Sequence, residues 1–336
     1  MAAQSRPGAC MTSRRRWMLA CAAAWIAPQA KAQASRPALR HVGVLAPSTA
    51  AKEAVTLKPF FDRMAGLGWV EGRTVRYDRA FADDRQEALP GLAKALVERG
   101  PELIYAPPAT AAIAASRATQ RIPIVFASVT DPVGAGLAQS LARPGGNVTG
   151  ISNYGETLAP KRFELLREVL PGARRLGFMG DPTDPTTRAD LAALAPVVAA
   201  QGAVLVPVHP KNPDELPGAL AVLDGQRIDA LITTTSLMFN LREEILAHAT
   251  KRRWPVFGHR PPMAEAGAIL AYAASLAEQL RRSAEVVDKV LKGARPGDVP
   301  IEQPSVFELI VNRRSAKALG IAIPDIVLMR ADRVIE

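Results

Sequence analysis

Along most of this chain, short apolar runs alternate with stretches whose apolar residues recur at helical spacing. HVGVLA (His41–Ala46), LIYAP (Leu103–Pro107), IPIVFAS (Ile122–Ser128) and NVTGIS (Asn147–Ser152) read as buried strands, with TVRYDRAF (Thr74–Phe81) a more polar fifth. Between them, Arg85–Arg99 places Leu89, Leu92, Ala93, Leu96 and Val97 at helical spacing. Runs apolar on both faces and separated by helices predict a parallel sheet, because crossover helices cover both of its faces. Pro59 interrupts the first helical pattern, in which Leu57, Phe60, Phe61 and Met64 share a face. A helix therefore starts or kinks there.

The second half repeats the alternation. RLGFMG (Arg175–Gly180), AVLVPV (Ala203–Val208), DALITTT (Asp229–Thr235), PVFGH (Pro255–His259) and AILAYA (Ala268–Ala273) are five more strands with helices between them. Two halves of similar α/β alternation predict two sheets rather than one large one. A helix over Leu276–Lys292 carries Leu276, Leu280, Ala284, Val287 and Leu291 on one side and stops at Gly293, a C-cap signal. FELIVN (Phe307–Asn312) is a last strand, followed by a short helix over Ser315–Leu319. The chain is expected to cross between lobes near Ser152–Thr157 and again near Tyr272–Leu276.

The first 34 residues stand apart from this pattern. Arg14, Arg15 and Arg16 precede an apolar run from Trp17 to Ala27, then Pro28 and the small-residue sites Ala30-Lys31-Ala32 and Ala32-Gln33-Ala34. Charge, apolar segment and A-x-A in that order read as an export signal too short to span a membrane. The arginines also resemble a twin-arginine signal, so both Tat and Sec export stay open. Either route places the mature protein in the periplasm. Both cysteines, Cys10 and Cys21, fall in the leader, so the mature chain is expected to have neither disulfide nor thiol chemistry. Leu19-Ala20-Cys21 is a partial lipobox, but the segment between Arg16 and Cys21 is too short for an h-region, which argues against a lipid anchor.

Setting the leader aside changes the charge reading. Five units of the net charge of +10 come from Arg6, Arg14, Arg15, Arg16 and Lys31, with no acid among them, so the remainder carries +5. The basic residues left are scattered, whereas a nucleic-acid surface needs them concentrated. The remaining 302 residues suit about two domains.

FASVTDPVGAGLAQSLARPGGNVTGISNYG (Phe126–Gly155) holds six glycines and is the most glycine-rich stretch considered for chemistry. It lacks the third glycine of G-x-G-x-x-G and the Lys-Ser/Thr of a P-loop. Gly150-Ile151-Ser152-Asn153-Tyr154-Gly155 is one residue too long for a nucleophile elbow. His41, His209, His248 and His259 share no metal spacing, and no cofactor is expected. What the stretch does hold is a strand, a polar step at Ser128, Thr130 and Asp131-Pro132, and a helix predicted to begin near Val133. Asp131 reads as N-cap of that helix with Pro132 at its first position. In open α/β sheets the ligand crevice lies beyond the carboxyl ends of the strands. This step is such an end.

IPIVFASVTDPVGAGLAQSLARPGGNVTG and the tail VDKVLKGARPGDVPIEQPSVFELIVNRRSAKALGIAIPDIVLMRADRVIE resemble ABC-transporter substrate-binding proteins of the type I periplasmic-binding fold. The subfamily they are similar to is the one with tryptophan- and aromatic-amino-acid-type binding proteins, and the resemblance covers His41–Glu336. It implies an α/β fold of two Rossmann-like lobes with parallel sheets joined by a hinge, and a small solute gripped between them and passed to an ABC permease and its ATPase. It also implies that the last strand returns to the second lobe. Lobe 1 is then 35–153 plus 275–304, and lobe 2 is 154–274 plus 305–336. The step TTTSLMFNLRE (Thr233–Glu243) departs from the Pro-Asp type common in relatives.

Polar residues at strand carboxyl ends are the candidate ligand contacts: Ser48, Thr49, Thr110, Ser128, Asp131 and Asn153 in lobe 1, and Asp181, Thr235, Ser236, Arg260 and Tyr272 in lobe 2. Each has a structural alternative: caps for Ser48, Thr110 and Ser236, a turn for Asp181-Pro182, a solvated Arg260, a core Tyr272. As a set, hydroxyls and helix N-termini suit a carboxylate, with Arg260 a second anion contact and Asp131 or Asp181 able to take an ammonium. Few aromatics (Tyr105, Tyr154, Phe239, Tyr272) lie near the candidate loops to sandwich a sugar ring. The expectation is a monomeric, exported, non-enzymatic solute-binding protein for an amino-acid-like or small carboxylate solute. A periplasmic sensor docking on a receptor kinase and a hydrolase using Ser152 or Ser128 are the alternatives. A transcription-factor effector domain is disfavoured by the leader.

Overall fold

Five of the apolar runs pair into one sheet and the others into a second. The computed structural model describes residues 39–153 and 155–336; the leader with Cys10 and Cys21, and Tyr154, lie outside the described residues. Strands β1 (Arg40–Ala46), β2 (Val75–Phe81), β3 (Leu103–Tyr105), β4 (Ile124–Val129) and β5 (Val148–Ser152) form an all-parallel sheet in the order β2-β1-β3-β4-β5. Four helices lie among these strands in sequence: α1 (Ala50–Thr56), α2 (Lys58–Gly66), α3 (Leu89–Glu98) and α4 (Ala109–Ala118).

The second sheet contains β6 (Arg175–Met179), β7 (Val204–Val208), β8 (Ala230–Thr233), β9 (Val256–Gly258), β10 (Leu270–Ala274), β11 (Phe307–Asn312) and β12 (Arg333–Ile335). Their order is β12-β11-β10-β9-β8-β6-β7, and only the β10–β11 pair is antiparallel. Between its strands come α5 (Gly155–Val169), α6 (Pro185–Ala200), α7 (Leu216–Gln226), α8 (Thr235–Asn240), α9 (Arg242–Arg252) and α10 (Pro261–Ala266). After β10 follow α11 (Leu276–Leu291), and then α12 (Arg313–Leu319) and α13 (Asp325–Arg330) around the last two strands.

Period-two alternation sends successive side chains of each strand to opposite faces, so both sheets have two cores. In the first sheet Val42, Val44 and Tyr105 pack with Phe60 and Met64 of α2 and with Leu280 and Val287 of α11. Leu45 and Ile104, their immediate neighbours, face Ala93, Leu96 and Ala112 of α3 and α4. Phe60 and Tyr105 stack with centroids 3.8 Å apart, and the Tyr105 hydroxyl meets Ser283 Oγ at 2.9 Å. Each fully buried side chain of this size contributes about 1.5–3 kcal/mol over leaving it exposed. Although α11 follows a strand of the second sheet, its apolar stripe is buried on the first.

Pro59 acts as expected: α1 ends, Leu57 intervenes, and α2 begins with Pro59 in its first turn, where no N–H is needed. Two expectations are corrected. The segment after Asp131 is a series of turns and not a helix. Pro132 and Pro144 bracket it and Gly136 takes φ +72°, so no continuous helical path exists. Asp131 therefore caps no helix; its Oδ1 accepts from Gly134 N at 2.8 Å within its own turn. Strand β12 and helix α13 were not foreseen, because three residues with an exposed Arg333 carry no apolar run to read.

Candidate functional site

The two sheets present their strand carboxyl ends to one cleft, and the chain lines it with polar side chains. From the first sheet come Ser48 after β1, Ser128 in β4 and Asn153 after β5; from the second come Thr234, Thr235 and Ser236 after β8, and His259 and Arg260 after β9. Ser128, Thr130, Asn153, Arg162, Asp184, Thr186 and Arg260 surround a cavity of about 20 Å³, small because the walls touch. Thr130 Oγ1 lies 3.0 Å from Thr186 Oγ1, and Lys52 Nζ reaches the Asn240 carbonyl at 2.7 Å. Both contacts join an element of the first sheet to one of the second.

On the wall of this cavity a buried ion group braces the second sheet. Arg162 of α5 donates from Nε to the Tyr272 carbonyl at 2.8 Å and sits 3.8 Å from Asp190, which also accepts from Thr234 Oγ1 at 2.6 Å. Burial lowers the Arg162 pKa, and Asp190 works against that. Nearer the opening, Arg260 donates to Ser236 Oγ at 2.9 Å and lies over the Phe239 ring at 4.9 Å. Burial pulls its pKa down to about 10, with Glu53 and Asp184 holding it up.

Two acids, Glu53 and Asp184, act on this arginine, and a third, Asp181, lies buried at the end of β6. Glu53 is 7 % exposed and burial lifts its pKa to about 7, with Arg260 the main opposing influence. Asp181, 1 % exposed, is lifted by burial to about 6 although Thr183 donates to it twice. Asp184 is raised by burial and caps α6 through Thr186 N. His259 is held far below its ordinary value, first by burial and then by Arg260 and Arg162, so it is neutral. His259 Nε2 at the cleft, and the buried Ser48 Oγ and Asn240 Nδ2, have no partner among the described residues. Leaving such an atom unpaired costs about 1–3 kcal/mol, so each calls for a water or a solute.

Thr235 carries a further cost. It adopts φ +70°, a conformation that crowds a β-branched side chain, while its Oγ1 accepts from Asp181 N at 3.3 Å. Strain of this kind collects where a fold serves a ligand.

Residues 42–335 match the family model described as ABC transporter substrate binding protein. The chain belongs to that family. A tyrosine-binding protein of Clostridioides difficile (strain R20291) is 27 % identical over 263 residues, 78 % of this substrate-binding protein and 75 % of the relative. The crystal structure of an ABC domain in complex with L-Trp from Streptococcus pneumonia superposes with a TM-score of 0.81 at 24 % identity, covering 88 % of this chain and 100 % of that one. The ligand-free, open structure of a substrate-binding protein with adhesive properties from Clostridium difficile gives 0.60 at 25 % identity, covering 89 % and 99 %. Its type I fold is that expected from the sequence.

In this substrate-binding protein the strand-end residues part into three groups. Ser128, Asn153, Thr235, Ser236 and Arg260 line one cavity, while Ser48 and Asp181 lie buried at the ends of β1 and β6. Thr49 caps α1 through Lys52 N, and Thr110 stands in the first turn of α4 beside a separate groove with Gln86 and Lys211. Asp131 folds onto its own turn, and the Tyr272 ring stacks on Phe307 at 6.3 Å within the second core. Tyr105, weighed as a ring for sugar stacking, is core. Glu53, Arg162, Asp184, Asn240 and His259 were not singled out as ligand contacts.

Proposed function

We propose that this chain is an exported solute-binding protein that grips a small amino-acid-like or carboxylate solute between its lobes and delivers it to an ABC permease and ATPase. The observation that carries the reading is the meeting of strand-end polar side chains from both sheets, Ser128, Thr130 and Asn153 with Thr235, Ser236 and Arg260, at one cavity. A catalyst needs a nucleophile with a positioned base; a carrier needs matched donors and acceptors that close around a solute. The cleft is of the second kind. In this reading the protein works without a cofactor and as a monomer in the periplasm. The absence of any helix among the described residues long and apolar enough to cross a membrane accords with that.

The lobes divide at 153/154, 274/275 and 304/305 in this proposal, so three short crossings form the hinge. Helix α11 packing on the first sheet and β11 pairing with β10 support those divisions. Closure follows from population shift: a solute touching both lobes binds the closed form more tightly than the open form. At nearly equal identity the chain superposes better on the L-Trp complex than on the ligand-free, open relative. That difference suits lobes drawn together. The relatives described with L-Trp and as tyrosine-binding favour an amino acid with an aromatic side chain.

The test is a melting-shift screen of the mature protein against amino acids, small carboxylates, purines and vitamins, followed by small-angle scattering with each hit. A true solute raises the melting temperature by mass action and reduces the radius of gyration. A hit that binds without compaction, or a screen without hits, removes the clamp reading.

A further inference from the structure

A second groove opens where α3 and α4 face loops of the second sheet. Its volume is about 860 Å³, and it shares no lining residue with the cavity of Ser128 and Arg260. The floor is apolar, formed by Leu89 and Pro90 of α3 with Ile113, Ala114 and Ala118 of α4. The two helices pack together on one face of the first sheet, as crossovers between parallel strands do. The opposite wall is Thr183 after β6 and Lys211-Asn212 after β7. Arg85 and Asp214, 2.8 Å apart, pair across the same two segments.

Four charged side chains line this groove: Lys94, Arg117, Lys211 and Glu87. Glu87 has Arg85 at 3.8 Å. The three cations have neither an ion pair nor a side-chain hydrogen bond among the described residues. Exposed cations need no partner in water, so alone they indicate nothing. The second observation is Gln86, which also lines the groove and is 7 % exposed. Its amide oxygen and nitrogen both lack a partner among the described residues, as does Thr110 Oγ1 at the same groove. Buried amides are almost always hydrogen-bonded, so these atoms call for a group that enters from the groove.

The lining changes character along α4. Thr110, with Gln86 and Lys211, marks the end where the two sheets approach. Arg117 stands two turns further on the same helix face, about 10 Å along the axis. Ile113 and Ala114 lie between them, and Lys94 stands one turn beyond Pro90 on the neighbouring helix. The groove is thus polar and cationic at one end, apolar in the middle and cationic at the other. Three cations against one acid leave an excess of two positive charges. Its complement is a dianion whose charges sit at the two ends of an apolar chain. An extended nine-carbon chain also spans about 10 Å.

We propose that this groove is a second binding site, for a linear α,ω-dicarboxylate. Lys211 and the Gln86 amide hold one carboxylate, and Arg117 with Lys94 holds the other. Because each lobe supplies one wall, the bound dicarboxylate draws the lobes together whichever solute the cleft takes.

The probe is azelate (nonanedioate), titrated calorimetrically into the mature protein beside nonanoate, succinate and the nine-carbon diamine. Azelate is expected to bind about tenfold or more tightly than nonanoate or succinate, each of which forfeits the contacts of one end. The diamine is expected to be silent. Arg117→Gln and Lys211→Gln, at exposed positions where substitution leaves the fold intact, each weaken azelate about tenfold. Nonanoate, free to use the other end, changes much less. Saturating azelate also reduces the radius of gyration, and Lys211→Gln abolishes that compaction. Absence of azelate binding, or nonanoate equal to azelate, overturns the proposal. So does azelate binding that both variants leave unchanged, which places the dicarboxylate in the solute cleft. Binding that both variants weaken but that brings no compaction removes the bridge between lobes, and the proposal with it. A failed solute screen is a separate result, since azelate is read through Arg117 and Lys211, which the cleft does not use.

Discussion

Lys52 and Asn240 tie the two lobes together: Lys52 Nζ on α1 donates to the Asn240 carbonyl at the end of α8 at 2.7 Å, and to Asp84 Oδ2 at 3.0 Å. The carbonyl end of a helix favours a cation, and Asp84 is nearly buried, so this contact is stronger than an exposed ion pair. Arg85 and Asp214, 2.8 Å apart on the rim, are the exposed comparison. Such pairs contribute about 0–1 kcal/mol, whereas a hydrogen bond to a charged group contributes about 1.5–3 kcal/mol. Lys52→Met is therefore expected to enlarge the ligand-free radius of gyration and weaken solute affinity about tenfold, while Arg85→Ala changes affinity less than twofold. Scattering and calorimetry on both variants check this; equal effects would remove the latch.

Glu53 makes stability fall as pH rises toward neutral. Burial raises its pKa from 4.5 to about 7, against Arg260 and with Asp84 adding to the rise. The folded protein thus holds a proton that the unfolded chain releases in that window. The stability this contributes is complete below pH 4.5 and is lost as pH rises through about 7, on the order of 3 kcal/mol in total. Asp181, raised from 3.8 to about 6, acts in the same direction over its own window. Melting curves of the ligand-free protein between pH 4.5 and 7.5, repeated on Glu53→Gln, are the check. An unchanged slope in that variant would assign the pH dependence elsewhere.

Thr235 and Thr234 are adjacent, yet glycine should affect them differently. Thr235 at φ +70° carries strain of about 1–3 kcal/mol. Thr235→Gly releases it, offset by the lost Asp181 contact and about 1 kcal/mol of added backbone freedom in the unfolded chain. Its melting temperature is expected within about 3 °C of the unaltered protein. Thr234 is extended at φ −140°, and its hydroxyl donates to buried Asp190 at 2.6 Å. Thr234→Gly gains no relief and loses a charged hydrogen bond, a fall of about 5 °C or more. Calorimetric melting of the two variants side by side decides it.

Much of the fold was legible because burial on both faces writes itself as short, wholly apolar runs. Ten such runs became ten paired strands, Phe307–Asn312 joined the second sheet, and Pro59 marked a helix start. What could not be read had no periodic signal. Arg333–Ile335 is a strand by its pairing with β11, not by its residues. The step after Asp131 held the local grammar of a helix start, but Gly136 and the prolines forbid the continuation. The site divides on the same line. Strand-end position was enough to find Ser128, Asn153, Thr235, Ser236 and Arg260. Arg162 and Asp190 sit inside helical patterns, where a charge on a buried stripe is visible only once its partner is known. The positive φ of Thr235 is not announced by anything in TTTS.

The pair Arg162–Asp190 yields the largest expected loss of stability. Both are nearly fully buried, at 3.8 Å, with the Tyr272 carbonyl and the Thr234 hydroxyl completing the group. Removing one member leaves the other charged in a medium that solvates it poorly, which costs about 3–5 kcal/mol. Arg162→Met and Asp190→Leu should each lower the melting temperature by about 10 °C, at about 2–4 °C per kcal/mol. The double variant leaves no lone charge and, because the desolvation cost of both ions is then gone, is expected to melt above either single variant. Additive losses would mean that packing, not charge pairing, holds α5 and α6 to the second sheet. Since the group lines the cavity wall and joins α5, α6 and the end of β10, loss of solute affinity in the single variants should exceed that in the double variant as well.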